Sequence, residues 1–165
     1  MKRFIVSAWS RGKDNAKNYP FMNELCKLLR EEYHLIQIGV TGEDTLLYCQ
    51  ESKFNLPLTE LESLVKDVGN FIAIDNFLHH LAYSIGVSGT VLWGPSDPNL
   101  FGYATQNNII KSREFLRKDQ FGYYKDYKWE HTQDGWLKPE EVISGIRECS
   151  GLKHSDKDTL CQCVA

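Results

Sequence analysis

The chain is 165 residues long, 42% apolar and 25% charged, with a formal net charge of −3 at pH 7. That length suits one domain with its own core, and the scattered basic residues argue against a nucleic-acid footprint. No apolar run is long enough to span a membrane, and Lys2-Arg3-Phe4-Ile5-Val6 reads as a first strand and not as a signal peptide, so a cytoplasmic setting is expected.

Residues 3–8 predict a strand, and 9–18 a polar, basic loop at its C-terminal end. An amphipathic helix is predicted over 19–32, with Pro20 in its first turn and Phe21, Leu25, Leu28 and Leu29 on one face. Residues 35–40 read as a second strand leading into Gly39-Val40-Thr41-Gly42-Glu43, then 44–50 as a short helix and 54–56 as a brief strand. Thr59-Glu60-Leu61-Glu62 has the capping-box form. It opens a helix that buries Leu61, Leu64, Val65 and Val68 and stops at Gly69. Residues 71–74 read as a buried strand, with Asp75 at the hand-over to a helix. There Phe77, Leu78, Leu81, Ala82 and Ile85 recur at helical spacing as far as Gly86. Residues 90–93 form the next strand, Gly94-Pro95-Ser96-Asp97-Pro98 a turn, and 108–111 one more short strand.

This alternation predicts a single α/β domain over residues 1–111, a Rossmann-like, doubly wound parallel sheet with helices on both faces. Residues 112–149 read as an aromatic-rich extension (Phe115, Phe121, Tyr123, Tyr124, Tyr127, Trp129, Trp136) and a final helix opened by Pro139, Glu140 and Glu141, packing on that domain. A carbohydrate-stacking platform is the sharper alternative for these aromatics. The polar stretch 150–165 reads as a flexible tail. Five cysteines (Cys26, Cys49, Cys149, Cys161, Cys163) give no regular framework. Cys161-Gln162-Cys163 has no partner pair at ligand spacing, so free thiols and no metal site are expected.

In a parallel sheet, ligands collect beyond the C-terminal ends of the strands. Those ends carry Ser10, Arg11, Lys13 and Lys17, then Thr41 to Glu43, then Asp75 to His80, then Gly94 to Asp97. Cations, hydroxyls and helix N-termini suit phosphate oxygens, and a carboxylate suits ribose hydroxyls. A nucleotide diphosphate fits this inventory better than a free acid or a metal. Asp75 is equally readable as a helix N-cap, and His79 and His80 as phosphate-facing or structural side chains. No Walker sequence, G-x-G-x-x-G or G-x-S-x-G occurs, which argues against NTP hydrolysis, a dinucleotide dehydrogenase and a serine hydrolase.

Asp75-Asn76-Phe77-Leu78-His79-His80-Leu81-Ala82, followed by Val91-Leu92-Trp93-Gly94-Pro95-Ser96-Asp97-Pro98, resembles the paired D-[ST]-G-x-x-H-L-A and F-G-P-T-D-P motifs of family 9 glycosyltransferases. These are the ADP-heptose:lipopolysaccharide heptosyltransferases and their relatives. Ser10-Arg11 with Lys17-Asn18-Tyr19-Pro20 resembles the family's polar loop ending in K-x-W-P. Gly39 to Glu43 resembles its G-x-x-x-E turn, and Leu58 to Leu61 the loop before the D-[ST]-G motif. The resemblance spans residues 3–111 and implies the C-terminal, donor-binding half of a GT-B enzyme. It further implies metal-independent, inverting transfer of a glycosyl group, heptosyl included, from an ADP-type nucleotide-diphosphate sugar to a saccharide acceptor in lipopolysaccharide biosynthesis. By position, Ser10 and Lys17 would face the diphosphate, Glu43 the ribose and the backbone at Leu58 the base, with Arg11 also among the donor-binding residues. Asp75, Asn76 and Phe77 would hold phosphates and sugar, with His80 close by. Asn76-Phe77 stands where the family has a hydroxyl residue and Gly. The acceptor site and general base would come from a second copy, a partner chain or a further domain. The alternatives are a non-catalytic nucleotide or nucleotide-sugar binding module and an epimerase-like relative of the same sheet.

Overall fold

A computed structural model of the chain describes residues 1–12, 14–122 and 129–151, the last stretch with side chains as far as 146. Lys13, Tyr123, Tyr124, Tyr127, Cys161 and Cys163, the tail 152–165 and the side chain of Cys149 lie outside the described residues. Six strands, β1 (Lys2–Ser7), β2 (Tyr33–Gly39), β3 (Glu51–Phe54), β4 (Phe71–Ile74), β5 (Thr90–Trp93) and β6 (Asn107–Ile110), form one sheet in the order β3-β2-β1-β4-β5-β6. Every pairing is parallel. This is the doubly wound order whose direction of growth reverses between β1 and β4, and it opens a crevice beyond their C-terminal ends.

The helices are α1 (Met22–Leu29), α2 (Leu58–Val68), α3 (Phe77–Ser84), the single turn α4 (Pro98–Phe101) and α5 (Pro139–Gly151), with a 3-10 turn at Arg113–Phe115. Two apolar clusters cover the two faces of the sheet. One joins Phe4, Val6, Leu25, Leu35, Ile72 and Ile74 to α1 and α5, and the other joins Ile5, Phe71, Ala73, Val91 and Trp93 to α2 and α3. Residues alternating along β1 and β4 thus feed opposite faces, as the period of two requires.

Several local expectations change. The first helix is shorter than the predicted 19–32: it begins at Met22, after Pro20, and leaves Leu28 exposed on its outer side. Residues 44–50 are not helical. Gln37, fully buried in the sheet, accepts from Leu46 N at 2.7 Å and donates to the Asp44 carbonyl at 2.8 Å, while Leu47 N donates to Asn23 Oδ1. Side chains distant in sequence thus take the backbone groups a helix would have paired. The third strand lies at 51–54 and not at 54–56. The capping box is not formed either: α2 begins at Leu58, so Thr59 is already inside, and the N-cap position is Pro57 without a side-chain bond. Gly69 and Gly86 do adopt left-handed φ values of 70° and 74°, at the ends of α2 and α3.

The aromatic extension goes inward. Trp129 and Trp136 are 7% and 2% exposed and belong to the core cluster with Leu137 and Val142. Their rings meet edge-on at 5.8 Å, and Trp136 seats itself on the bare backbone of Gly94. These two rings are therefore not a sugar-stacking platform. Glu141 Oε2 accepts from Lys138 N at 2.7 Å and closes the first turn of α5. The outer strand β3 carries Glu51, which pairs with His34 at 2.7 Å and Lys53 at 3.3 Å.

Candidate functional site

The crevice between β1 and β4 is closed at its base by Asn76. This residue, and not Asp75, is the N-cap of α3: its Oδ1 accepts from Leu78 N at 3.0 Å. Its Nδ2 donates to Ser7 Oγ at 2.9 Å, to the Trp9 carbonyl at 3.1 Å and to the Ser7 carbonyl at 3.3 Å. One side chain therefore caps a helix and fastens its positive end to the tip of β1.

Relieved of capping, Asp75 serves as an anion. Its Oδ2 lies 2.6 Å from Lys17 Nζ and its Oδ1 3.5 Å from His79 Nε2. Burial works against its charge, but contacts from His79, Lys17 and Ser96 outweigh it and hold the carboxyl well below the usual carboxylate range. Lys17 is delivered by the loop after β1, which Asn18 shapes: Ser10 N donates to Asn18 Oδ1 at 2.8 Å, and Asn18 Nδ2 donates to the Gly12 carbonyl at 2.8 Å. Ser10 on this loop is half-buried, and Arg11 is exposed with a φ of +38°.

His79 is fully buried, edge-on to Trp93 at 5.4 Å and against His80 at 3.8 Å between ring centroids. Neither of its ring nitrogens has a hydrogen-bond partner among the described residues. His80 is more open. Its Nδ1 lies 2.8 Å from the Tyr103 hydroxyl, and Tyr103 stacks on Tyr83 at 3.7 Å. Burial and the neighbouring His79 lower the pKa of His80, which favours the neutral imidazole.

Beside this charged corner lies a cavity of about 350 Å³ over the C-terminal ends of β1, β2 and β3. Ile38, Leu56, Leu58, Leu61 and Phe77 give it apolar walls, and Ser7, Glu43, Lys53, Asn55 and Asn76 supply the polar groups. That size and mixture match a small-molecule site. Glu43 is bent back over the strand end: its Oε2 accepts from Val40 N at 2.9 Å. A Cβ on Gly39 would lie 2.5 Å from that oxygen, so glycine is what lets the carboxylate fold there.

Of the nine expected site residues, Glu43, Leu58, Asn76 and Phe77 line the cavity, and Lys17, Asp75 and His80 form the charged corner at the other side of the α3 N-terminus. Ser10 and Arg11 stay on the β1 loop and outside the cavity wall. Ser7, Lys53 and Asn55 were not expected there. Ser7 carried a usable signal as a hydroxyl near the C-terminal end of the strand expected at 3–8, whereas Lys53 and Asn55 depend on where β3 stops.

The turn after β5 is held from a distance. Asp97 caps α4 through Asn99 N at 2.9 Å and takes a two-pronged contact from Arg113 at 3.1 and 2.6 Å. Burial opposes the charge of Asp97, but Arg113 and the Asn99 backbone outweigh it and lower its pKa below the ordinary 3.8. A depressed carboxylate contributes stability above its unfolded-state pKa and loses it as pH falls through the folded value. Thermal melting of wild type is therefore expected to drop below about pH 4, and more steeply than that of Asp97→Asn, whose melting temperature is already lower at neutral pH. Parallel melting curves for the two proteins across that range would remove this role from Asp97.

No protein-family model and no curated protein sequence matches the chain. Solved structures do. The iron-containing dodecameric glycosyltransferase TibC from enterotoxigenic E. coli H10407 superposes with a TM-score of 0.70 at 18% identity, over 90% of this chain and 45% of its own. The E. coli heptosyltransferase WaaC, solved with ADP, gives 0.61 at 17% identity, over 89% and 44%. A family 9 glycosyl transferase from Veillonella parvula DSM 2008 gives 0.64 at 16%, over 89% and 45%. The chain spans about half the length of these structures and has the fold of their C-terminal half, a Rossmann-like domain of the GT-B architecture.

Proposed function

We propose that this domain binds a nucleotide-diphosphate sugar at the crevice between β1 and β4 and serves as the donor half of an inverting glycosyltransferase. The observation that carries this is the juxtaposition at one sheet edge of an apolar cavity holding a carboxylate, a helix N-terminus and a lysine. In this reading the nucleoside enters the cavity of about 350 Å³, with Glu43 accepting from ribose hydroxyls and the backbone at Leu58 meeting the base. The diphosphate lies toward the α3 N-terminus, met by the N–H groups of Asn76 and Phe77 and by Lys17, Ser10 and Arg11 from the β1 loop. Charge develops on the leaving diphosphate in such a transfer, and a cation with a fixed helix N-terminus stabilises it without reorganising. Asp75 would then hold Lys17 in place, and with His80 would border the sugar.

WaaC and TibC are described with ADP and with ADP-D-beta-D-heptose respectively, which favours an ADP-type donor with a hexose or heptose. The acceptor would be a saccharide of the lipopolysaccharide class, and the setting the cytoplasm. The acceptor site and the general base would come from a second domain, a second copy or a partner chain; TibC is described as a dodecamer.

A calorimetric panel of ADP-, GDP-, UDP- and CMP-sugars tests the reading. One base is expected to bind clearly best, and Glu43→Gln is expected to weaken that ligand about tenfold, the loss of one charge-assisted hydrogen bond. Equal binding of all four, or of none, would overturn the assignment of the cavity to a nucleoside. Binding with no transfer to any saccharide in the presence of candidate partner chains would leave a nucleotide-sugar module in place of a transferase half.

A further inference from the structure

We propose that Asp75, His79 and His80 form a binding site for a transition-metal dication of the zinc or iron(II) class. One carboxylate oxygen and one ring nitrogen from each histidine lie within 4.8 Å of one another. Two atoms each about 2.1 Å from a tetrahedral metal stand about 3.4 Å apart, and Asp75 Oδ1 and His79 Nε2 are 3.5 Å apart. That separation is long for a good hydrogen bond and right for two ligands of one ion.

His79 is the independent sign. It is 0% exposed and neither ring nitrogen has a hydrogen-bond partner among the described residues. An imidazole in that state bears its desolvation penalty with no good hydrogen bond in return, and coordination at Nε2 would give that nitrogen a partner. The surroundings support the same assignment. Tyr103, stacked on Tyr83, sets the orientation of the His80 ring through its hydroxyl, as outer partners of metal-bound histidines do. Lys17 meets Oδ2 of Asp75, the oxygen other than the one facing His79.

Two imidazoles and one carboxylate select zinc, cobalt or iron(II) over magnesium and calcium, which take oxygen ligands. Three protein ligands leave a position open for water or an oxygen of a bound molecule. The site adjoins the cavity but does not depend on its assignment. A protein that binds the metal and no nucleotide would refute the donor reading and keep this one, and the reverse holds equally.

The test uses the untagged full chain, stripped with chelator and titrated with Co²⁺, followed by visible ligand-field absorption, with Zn²⁺ as competitor. Cobalt is expected to saturate at about one ion per chain in a four- or five-coordinate spectrum, Zn²⁺ to displace it, and either metal to raise the melting temperature. His80→Ala and Asp75→Asn are each expected to weaken cobalt binding at least about tenfold. His80 is exposed, so His80→Ala is expected to melt like the metal-free wild type, which separates a lost ligand from a lost fold. A double Cys161→Ser, Cys163→Ser variant is expected to bind as wild type does. Absence of both absorption and melting shift would overturn the proposal. So would undiminished binding in His80→Ala and Asp75→Asn, or loss confined to the cysteine variant with a thiolate charge-transfer band.

Discussion

Replacing Asn76 with Ala is expected to destabilise the protein by about 3 kcal/mol, read from urea denaturation, and to abolish ligand binding in the crevice. Loss of an N-cap costs about 1 kcal/mol. The Ser7 and Trp9 carbonyls and the Ser7 hydroxyl also lose their common donor, and each backbone acceptor left short of a partner adds about 1 kcal/mol. Asn76→Thr separates the contributions, because Thr keeps a capping oxygen and gives up the amide that reaches β1. Its expected cost is about 2 kcal/mol, with the helix intact by circular dichroism and ligand binding still impaired. If Asn76→Ala were to lose less than about 1 kcal/mol, the fastening of α3 to β1 would carry no weight.

Gly39→Ala is the second large effect, and here binding suffers as well as stability. The new Cβ would lie 2.5 Å from Glu43 Oε2 and 2.8 Å from the Phe54 ring. The carboxylate is the end of a flexible chain and can swing aside, and Phe54 is only half-buried. The stability cost is therefore the ordinary one of overpacking, about 1–3 kcal/mol. The displaced carboxylate, however, leaves both Val40 N and the cavity. Ligand binding in the cavity is expected to weaken at least as much as in Glu43→Gln, about tenfold, while the double variant is no worse than either single one. Additive losses in that cycle would mean that Gly39 acts on the site by some route other than Glu43.

The β4–α3–β5 stretch was legible because each of its signals is local: a four-residue apolar run, a helical period from Phe77 to Ile85, and Gly69 and Gly86 at left-handed ends. Which of two neighbouring capping residues takes the cap was not legible. Asp75 and Asn76 are both competent, and the choice is made by Ser7 and Trp9, which chain topology brings alongside and which need a donor that only the amide supplies. The same non-local arbitration undid the helix expected at 44–50, where Gln37 takes the backbone. It also drew Trp136 inward onto the flat seat that Gly94 offers, with Trp129 edge-on against it. The strand order is likewise a property of the assembled sheet. His79 stood in plain view next to His80 on a helical segment. What marks it is burial without a partner, and that exists only in three dimensions.

The outer strand β3 has one side of its backbone unpaired, and such an edge invites another strand to join it, within an oligomer or an aggregate. It is only four residues long, and Glu51 and Lys53 keep it charged, with His34 drawn to the same carboxylate. A second copy pairing in parallel and in register would bring like charges opposite one another, whereas an antiparallel pair centred on Ser52 would set Glu51 against Lys53. The charges on this short edge thus disfavour one direction of strand pairing and permit the other.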